Sequence, residues 1–495
     1  MDAAGRTCRI RLSNLHRGEA SPTKLHPDFF GDGAKLPTGL GRRAAENLGE
    51  SAMSTGRADE VVPAPIPRTF MEFVRSMGPG VIVVLTWLGA GDIVDASVAG
   101  ADYGYALMWV LALALGIRWL FVSTIARYQL LNQHGESVME GLKRLHPAFM
   151  PFVGFATILL CHSVNVYMYQ GLGDSCKALA QMAGAPMEGG PSWFWAVLWA
   201  AITAVLLARS AFKGIETLFL VFLGLLSVSL LGAAAMAKPD VVAILKGTFL
   251  FQMPDARGAF KPEVIAVSIV GAVAGSLANL MYPYLMREKG WVLPEHRRVQ
   301  QYDLALGIVV IILLDLAVWA LGAQVLHPQG LRVESVKDLA AMLTQSLGAA
   351  GGILIYLGVF AAVASSIVGN AMAYSYMATH ALLLWKGEGA NANYRSHPWY
   401  RWLVAWGIWS PLVWVIASSP SFVALTVLVN AVQIILLPVL AGGIWALTAR
   451  SKFIGATHKN SLPVNVGMAL FMAVALAGTW GVLRSLLEKL GAGPG

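Results

Sequence analysis

Charge is scarce in this chain. Only 13% of its 495 residues are Asp, Glu, Lys or Arg, against 56% that are hydrophobic, and the apolar residues come in long continuous runs instead of recurring at amphipathic spacing. That combination marks a membrane protein. Short segments of alternating hydrophobicity are missing, which excludes an outer-membrane barrel and leaves an all-α polytopic bundle. Cysteine is scarcer still. Cys8, Cys161 and Cys176 cannot build a disulfide framework, and their spacing matches no zinc or haem signature. The first 65 residues lack any apolar stretch long enough for a signal peptide or a span. Rich in Arg, Gly, Ser and Pro, they read as a disordered cytoplasmic tail, within which Met53 is an equally plausible first residue, and they leave 66–490 as the transmembrane domain. The net charge of +8 resides mostly in that tail and in loops, so it reports topology and attraction to a lipid surface, not a nucleic-acid partner.

What the chain does have is apolar length. Eleven spans are predicted, at about 78–102, 105–130, 149–182, 192–208, 214–236, 263–286, 303–326, 350–385, 400–418, 421–448 and 463–487. Arg127, Lys143, Arg144, Arg287, Arg297 and Arg450 fall in loops on one side, while the other side carries chiefly Lys238, Lys246 and Lys261. The excess of positive charge marks the cytoplasmic side, so the N-terminus is expected inside a cytoplasmic (inner) membrane and the C-terminus outside.

Two spans are interrupted near mid-membrane by polar residues with glycine or proline. The first breaks at Gly89-Ala90-Gly91-Asp92, the sixth at Gly275-Ser276-Leu277-Ala278-Asn279 followed by Pro283. Breaks five spans apart point to two inverted five-helix repeats, with a binding site between the unwound segments. Unwound backbone frees carbonyl oxygens, which hydrocarbon tolerates only where they line a cavity or bind an ion.

An ionised carboxylate at bilayer depth is costly and normally faces a cavity or a cation. Asp92 and Asp95 are three residues apart and share a helix face if the helix resumes after Gly91. The plainer alternatives make Asp92 a cap of the second half-helix and turn Asp95 to the outer vestibule. Asn279 offers an amide oxygen from the other break, or a hydrogen bond between helices; Asn430, before Pro438, is a weaker candidate of the same kind. His162 and Asn165 are better explained as packing hydrogen bonds. Arg118 and Lys177 are long enough to snorkel or pair, Asp174 is close to Lys177, and Asp303 sits at the entrance of the seventh span. Asp315 lies deeper, with no role assigned.

These features resemble the Nramp family of divalent metal transporters. The resemblance rests on Gly78-Pro79-Gly80, on Gly100-Ala101-Asp102-Tyr103-Gly104-Tyr105 and Leu107-Met108-Trp109-Val110, on Ala126-Arg127 and Glu216, and on Ala364-Ser365-Ser366-Ile367-Val368-Gly369-Asn370. It runs from about residue 78 to 487. It implies the LeuT-type 5+5 inverted repeat with discontinuous first and sixth helices plus an eleventh helix. It also implies a divalent metal as cargo, no cofactor, no obligate protein partner and no enzymatic activity. Taken with the residues above, the expected metal set is Asp92, Asp95, Asn279 and Asn430, to which the resemblance adds the positions of Gly89 and Ser276.

The departures from the family fall on that site. The family's Asp-Pro-Gly-Asn is Gly89-Ala90-Gly91-Asp92 here, which moves the carboxylate from the first position to the fourth. Its Met-Pro-His is Asn279-Leu280-Met281, with an amide in place of the thioether and no histidine; Ser276 takes the position whose backbone carbonyl faces the ion. Oxygen donors suit Mg²⁺ and Mn²⁺ more than softer metals, and a similar loss of the methionine marks Nramp-related magnesium transporters. The family's acidic pair in the third span aligns with Tyr167 and Gln170, neither a proton carrier at neutral pH. Transport without proton coupling is therefore expected. Two rivals stand beside this reading. One is another small solute on the same fold. The other is an intramembrane aspartyl protease, since Gly89-Ala90-Gly91-Asp92 and Tyr302-Asp303 spell its Gly-x-Gly-Asp and Tyr-Asp patterns, though in the wrong order.

Overall fold

The computed structural model describes residues 62–69, 71–73, 76, 90–184, 190–208, 212–256, 258–388, 394–417 and 420–489. All of these lie in one structural unit spanning 56–495. Most of the predicted tail, Gly78-Pro79-Gly80 and Gly89 therefore fall outside the described residues.

The described residues are helical, with turns between. The main helices are α1 (Ala90–Tyr103), α2 (Met108–Leu131), α3 (Phe149–Met182), α4 (Ser192–Ala208), α5 (Phe212–Met236) and α6 (Pro262–Val273). They are followed by α7 (Arg297–Leu321), α8 (Val336–Lys386), α9 (Pro398–Trp409), α10 (Phe422–Gln433) and α11 (Leu462–Lys489). Every predicted span overlaps one of them. Eight of the helical runs are long and apolar enough to cross a bilayer. Large side chains such as Phe155, Val228 and Trp402 stand exposed on the outer faces, where hydrocarbon is their natural solvent.

The predicted break in the sixth span is present. Helix α6 stops at Val273, Ser276 is extended with ψ 125°, a 3₁₀ turn runs over Leu277–Met281, and the helix resumes as Tyr282–Glu288 with Pro283 in its first turn. Proline lacks the N–H that would continue the ladder, so the restart is fixed at that point. On the first span, the chain is helical from Ala90, which places Asp92 in the first turn of α1.

Three departures from the predicted spans have local causes. The ninth span is divided into α9 and a short helix Leu412–Ile416, with Pro411 between them. The eighth is preceded by a separate stretch of helix beginning at Val336, turned off from the span at Gly348, whose φ of 67° suits glycine. The tenth passes through a 3₁₀ turn at Ile434–Leu436 before continuing as Leu437–Ala449, with Pro438 in its first turn.

Glycines set how closely α1 approaches α7. A Cβ on Gly100 would stand 2.4 Å from the Trp319 carbonyl, and one on Gly322 would stand 2.8 Å from the Ser97 carbonyl. Small residues let helix backbones touch where hydrocarbon offers no hydrophobic drive for association. The Trp319 indole N–H donates to the Gly104 carbonyl at 2.7 Å and fixes the far end of the crossing. Asp92 and Asp315 lie about two turns back along these same helices.

Candidate metal site

Asp95 ties three helices together. Its side chain is 2% exposed; Oδ1 accepts from Ser268 Oγ of α6 at 2.8 Å, and Oδ2 accepts from Asn430 Nδ2 of α10 at 3.0 Å. Asn430 is oriented in turn by Gln433 Nε2, which donates to its Oδ1 at 3.2 Å. Asp95 therefore faces the interior and not an outer vestibule, and Asn430, the weaker sequence candidate, is its direct partner. Gly91 packs closely against this pair: a Cβ there would lie 3.0 Å from Asn430 Nδ2, which would have to give way by a few tenths of an ångström, and 3.5 Å from the Tyr167 hydroxyl. Tyr167, at one of the positions aligned with the family's acidic pair, thus packs against the same turn.

Asp92, one turn earlier on α1, is also buried. Asp92, Asp95 and Asp315 line one small cavity, closed on its apolar side by Leu111, Val273 and Trp319. Asp315 is 1% exposed, and neither of its carboxylate oxygens has a hydrogen-bond partner. Arg118, reaching in from α2, is 3% exposed, with Asp92 and Asp315 as its electrostatic partners. It does not snorkel to a membrane surface. Its charge is spent inside, where the effective dielectric is low and each charge pair counts for more than in water. Among the described residues, no three His, Cys, Asp or Glu side chains converge closely enough to hold an ion by themselves. An ion in this cavity must complete its shell with water, amide or backbone oxygens.

Asn279 and Ser276 lie on the broken segment, outside the lining of that cavity. Asn279 is fully buried; its Nδ2 donates to the Ala274 carbonyl at 3.0 Å, a group freed by the break, and its Oδ1 has no hydrogen-bond partner. The amide oxygen is thus the unsatisfied end. Ser276 Oγ accepts from the Ala278 N–H at 3.2 Å and shares a hydrogen bond with Tyr374. The break supplies oxygen donors, and Met281 beside it is the nearest sulfur in sequence.

Several other polar residues that the sequence singled out in the spans have structural partners. His162 bonds Ser410 Oγ at 2.7 Å and accepts from the Trp414 indole at 2.9 Å. Asn165 donates to the Gly407 carbonyl at 2.9 Å and accepts from Asn370 at 3.2 Å, joining α3 to α8 and α9. Asp174 accepts from Ser192 Oγ at 2.7 Å. Replacing Asn165 with alanine leaves the buried Gly407 carbonyl without this donor and the half-buried Asn370 amide without this acceptor. The expected cost is about 1–3 kcal/mol, read as a lower unfolding temperature in detergent with the ion concentration for half-maximal uptake unchanged. A shifted half-saturation at unaltered stability would move Asn165 into the ion path. Asp303 is ion-paired to Lys289 at 3.1 Å and bonded by the Tyr282 hydroxyl at 3.3 Å. It is not a partner of Asp92, so the two carboxylates do not form a proteolytic dyad.

The family model of natural resistance-associated macrophage protein-like (Nramp) proteins matches residues 80–483. The chain belongs to the Nramp family. A divalent metal cation transporter MntH of Burkholderia ambifaria is 25% identical over 338 residues, covering 64% of this chain and 73% of that protein. The MntH of Deinococcus radiodurans is 24% identical over 321 residues, covering 61% and 69%. A third, from Verminephrobacter eiseniae, is matched over 66% of its length. Crystal structures of the Eremococcus coleocola manganese transporter superpose with a TM-score of 0.68 at 15% identity, covering 89% of this chain and 93% of that one. At that identity the likeness shows the fold, the LeuT-type pair of inverted repeats. As an Nramp protein the chain is a multi-pass membrane transporter and not an enzyme. Any metal it handles is cargo and not a resident cofactor. The protease reading ends there.

Proposed function

We propose that this Nramp protein carries a divalent cation, Mg²⁺ or Mn²⁺, by alternating access and without a coupled proton. The observation that carries the reading is the acid lining of the buried cavity. Three buried carboxylates, Asp92, Asp95 and Asp315, border it beside a single guanidinium, Arg118, so acid groups outnumber the base and a divalent cation suits the place. Unpaired charge in a low-dielectric interior is expensive, so the loaded state is the electrically cheap one.

The donors are hard. Carboxylates and the Asn279 amide offer oxygen only, and Mg²⁺ and Mn²⁺ both favour it. The MntH relatives and the manganese transporter support the divalent class and Mn²⁺ within it; the oxygen donors fit Mg²⁺ equally well. Absence of coupling is supported by Tyr167 and Gln170, which stand where the family has acids. Gln170 donates to Asp174 at 3.4 Å and packs as an ordinary helix residue. The membrane potential supplies about 2.3 kcal/mol per elementary charge per 100 mV, and roughly double that for a divalent ion, so uptake needs no second gradient.

Proteoliposomes with an inside-negative potential are expected to take up Mg²⁺ or Mn²⁺ with no matching acidification of the lumen. Flux of neither ion would overturn the cargo, and one proton entering per ion would overturn the uncoupled mechanism alone.

A further inference from the structure

An exposed apolar surface lies off the spans. A short helix, Val241–Phe249, is inserted between α5 and α6. Asp240 caps it, Oδ1 accepting from the Val242 and Ala243 N–H groups at 2.9 and 3.0 Å. None of its residues is fully buried. Val241, Val242, Leu245 and Phe249 are exposed, Val241 by 62% and Phe249 by 67%, and at helical spacing they share one arc with Lys246 at its margin. The apolar surface continues through Leu250, Phe251 and Met253. The opposite face is fixed to the protein. A Cβ on Gly247 would lie 1.9 Å from the Tyr105 carbonyl, so the helix rests on the backbone between α1 and α2. Just beyond it, the Trp109 indole donates to the Gln252 carbonyl at 3.0 Å and its ring lies 5.7 Å from that of Phe251. Held in this way, the helix cannot roll its apolar arc inward, and a contiguous patch of that kind calls for a covering surface.

We infer that Val241–Phe249 is an interfacial anchor, lying in the outer leaflet with Val241, Val242, Leu245 and Phe249 among the acyl chains and with Lys238 and Lys246 at the phosphates of anionic phospholipids. Three observations choose lipid over a protein surface. The span α5 ends at Met236 and the helix starts at Val241, so the chain has little length in which to leave the membrane surface. An apolar arc with a lysine at its margin suits an interface, because the lysine stem follows the apolar surface while the ammonium reaches the headgroups. One face of this nine-residue helix measures about 13 Å by 10 Å, far short of the roughly 800 Å² per partner of a stable protein interface. Lipid needs no such minimum. The anchor is also linked to α1. The chain beyond it folds over the outer end of that helix, where the Ala259 N–H donates to Asp102 Oδ2 at 2.8 Å and the Tyr103 hydroxyl donates to the Phe260 carbonyl at 2.6 Å. Asp102 and Tyr103 end the same helix that carries Asp92 and Asp95. Lipid on this face therefore bears on the helix of the ion site without touching the ion.

Nitroxide labels test the placement in the full chain, with Cys8, Cys161 and Cys176 first replaced by alanine. Labels are carried by Val242→Cys, Leu245→Cys or Phe249→Cys, and by Glu334→Cys as an exposed control on the connection between α7 and α8. In vesicles of phosphatidylglycerol and phosphatidylethanolamine, collisions with O₂, which concentrates in hydrocarbon, are compared with collisions with a water-soluble nickel chelate. The three helix labels are expected to favour O₂, at a depth of about 5–10 Å below the headgroups, while the Glu334 site favours nickel. Helix labels that favour nickel would overturn the anchor. Spin–spin coupling between copies that persists on dilution with lipid would put a second copy on this face and overturn it as well. The labelled positions are exposed, and if one variant fails to fold the other two report on the same arc. The lysines have their own arm, read at the Leu245 site. Lys238→Gln with Lys246→Gln is expected to bring that label closer to water in phosphatidylglycerol vesicles and to leave it unmoved in phosphatidylcholine alone. Equal movement in both lipids, or none in either, would overturn the contact between the lysines and anionic phosphates.

Discussion

An Asp92→Ala protein is expected to fold, insert and carry almost no ion. The loss is put at roughly 100-fold or more in the ion concentration for half-maximal uptake, about 2.7 kcal/mol at 1.36 kcal/mol per tenfold. Three physical changes act in one direction. The carboxylate in the first turn of α1 is removed from a cavity where charge is poorly screened. Arg118 loses one of its two electrostatic partners and turns its whole charge on Asp315. Only Asp95 and Asp315 then remain beside Arg118, one carboxylate fewer to offset a divalent cation. Asp95 cannot move into the vacated place, because Ser268 and Asn430 hold its carboxylate where it is. Asp92→Asn keeps an oxygen donor and the size of the side chain and is expected to fall between wild type and alanine. Flux in vesicles of matched protein content measures the series, and alanine flux equal to wild type would remove Asp92 from the site.

Much of this arrangement was legible in the sequence, and the parts that were not share one cause. Continuous apolar runs gave the spans because a bilayer imposes length, and Gly275 to Asn279 with Pro283 gave the sixth-span break because those residues do not continue a helix. Asp92 stood out because a lone carboxylate at that depth is costly whatever surrounds it. Asp315 and Arg118 carried the same signal but no address. A charge in mid-span says that it has a partner, while the identity of the partner depends on which helices touch. Arg118 on α2 and Asp315 on α7 meet Asp92 only because α7 crosses α1 at Gly100 and Gly322. Asn430 was underrated for the same reason: its neighbour Asp95 is 335 positions away along the chain. Contacts between helices are set by three-dimensional packing, and one sequence records them only as unexplained small residues.

Those small residues carry the second large effect. Gly271→Ala is expected to destabilise the protein by about 1–3 kcal/mol through overpacking and to depress uptake beyond what stability explains. A Cβ at position 271 would lie 1.9 Å from the backbone carbonyl of Asn430. A side chain could turn aside, but a carbonyl within α10 cannot, so α6 and α10 must separate. Ser268 sits one turn from Gly271 on α6, and Asn430 is the very residue struck on α10; these two donors hold Asp95 at 2.8 and 3.0 Å. Separation by even a few tenths of an ångström at the crossing lengthens both bonds, and a loosened Asp95 spoils a cavity whose function is to place charge. The matched control is Gly116→Ala on α2, where nothing lies within 4 Å of the new carbon. Alanine there is expected to be neutral or to stabilise by up to about 1 kcal/mol, since glycine in a helix costs that much in backbone freedom. Thermal unfolding in detergent and ion flux, measured on both variants, decide the matter. If the two behave alike, the α6–α10 contact does not hold Asp95 in place, and the site must be kept in register by the α1–α7 crossing instead.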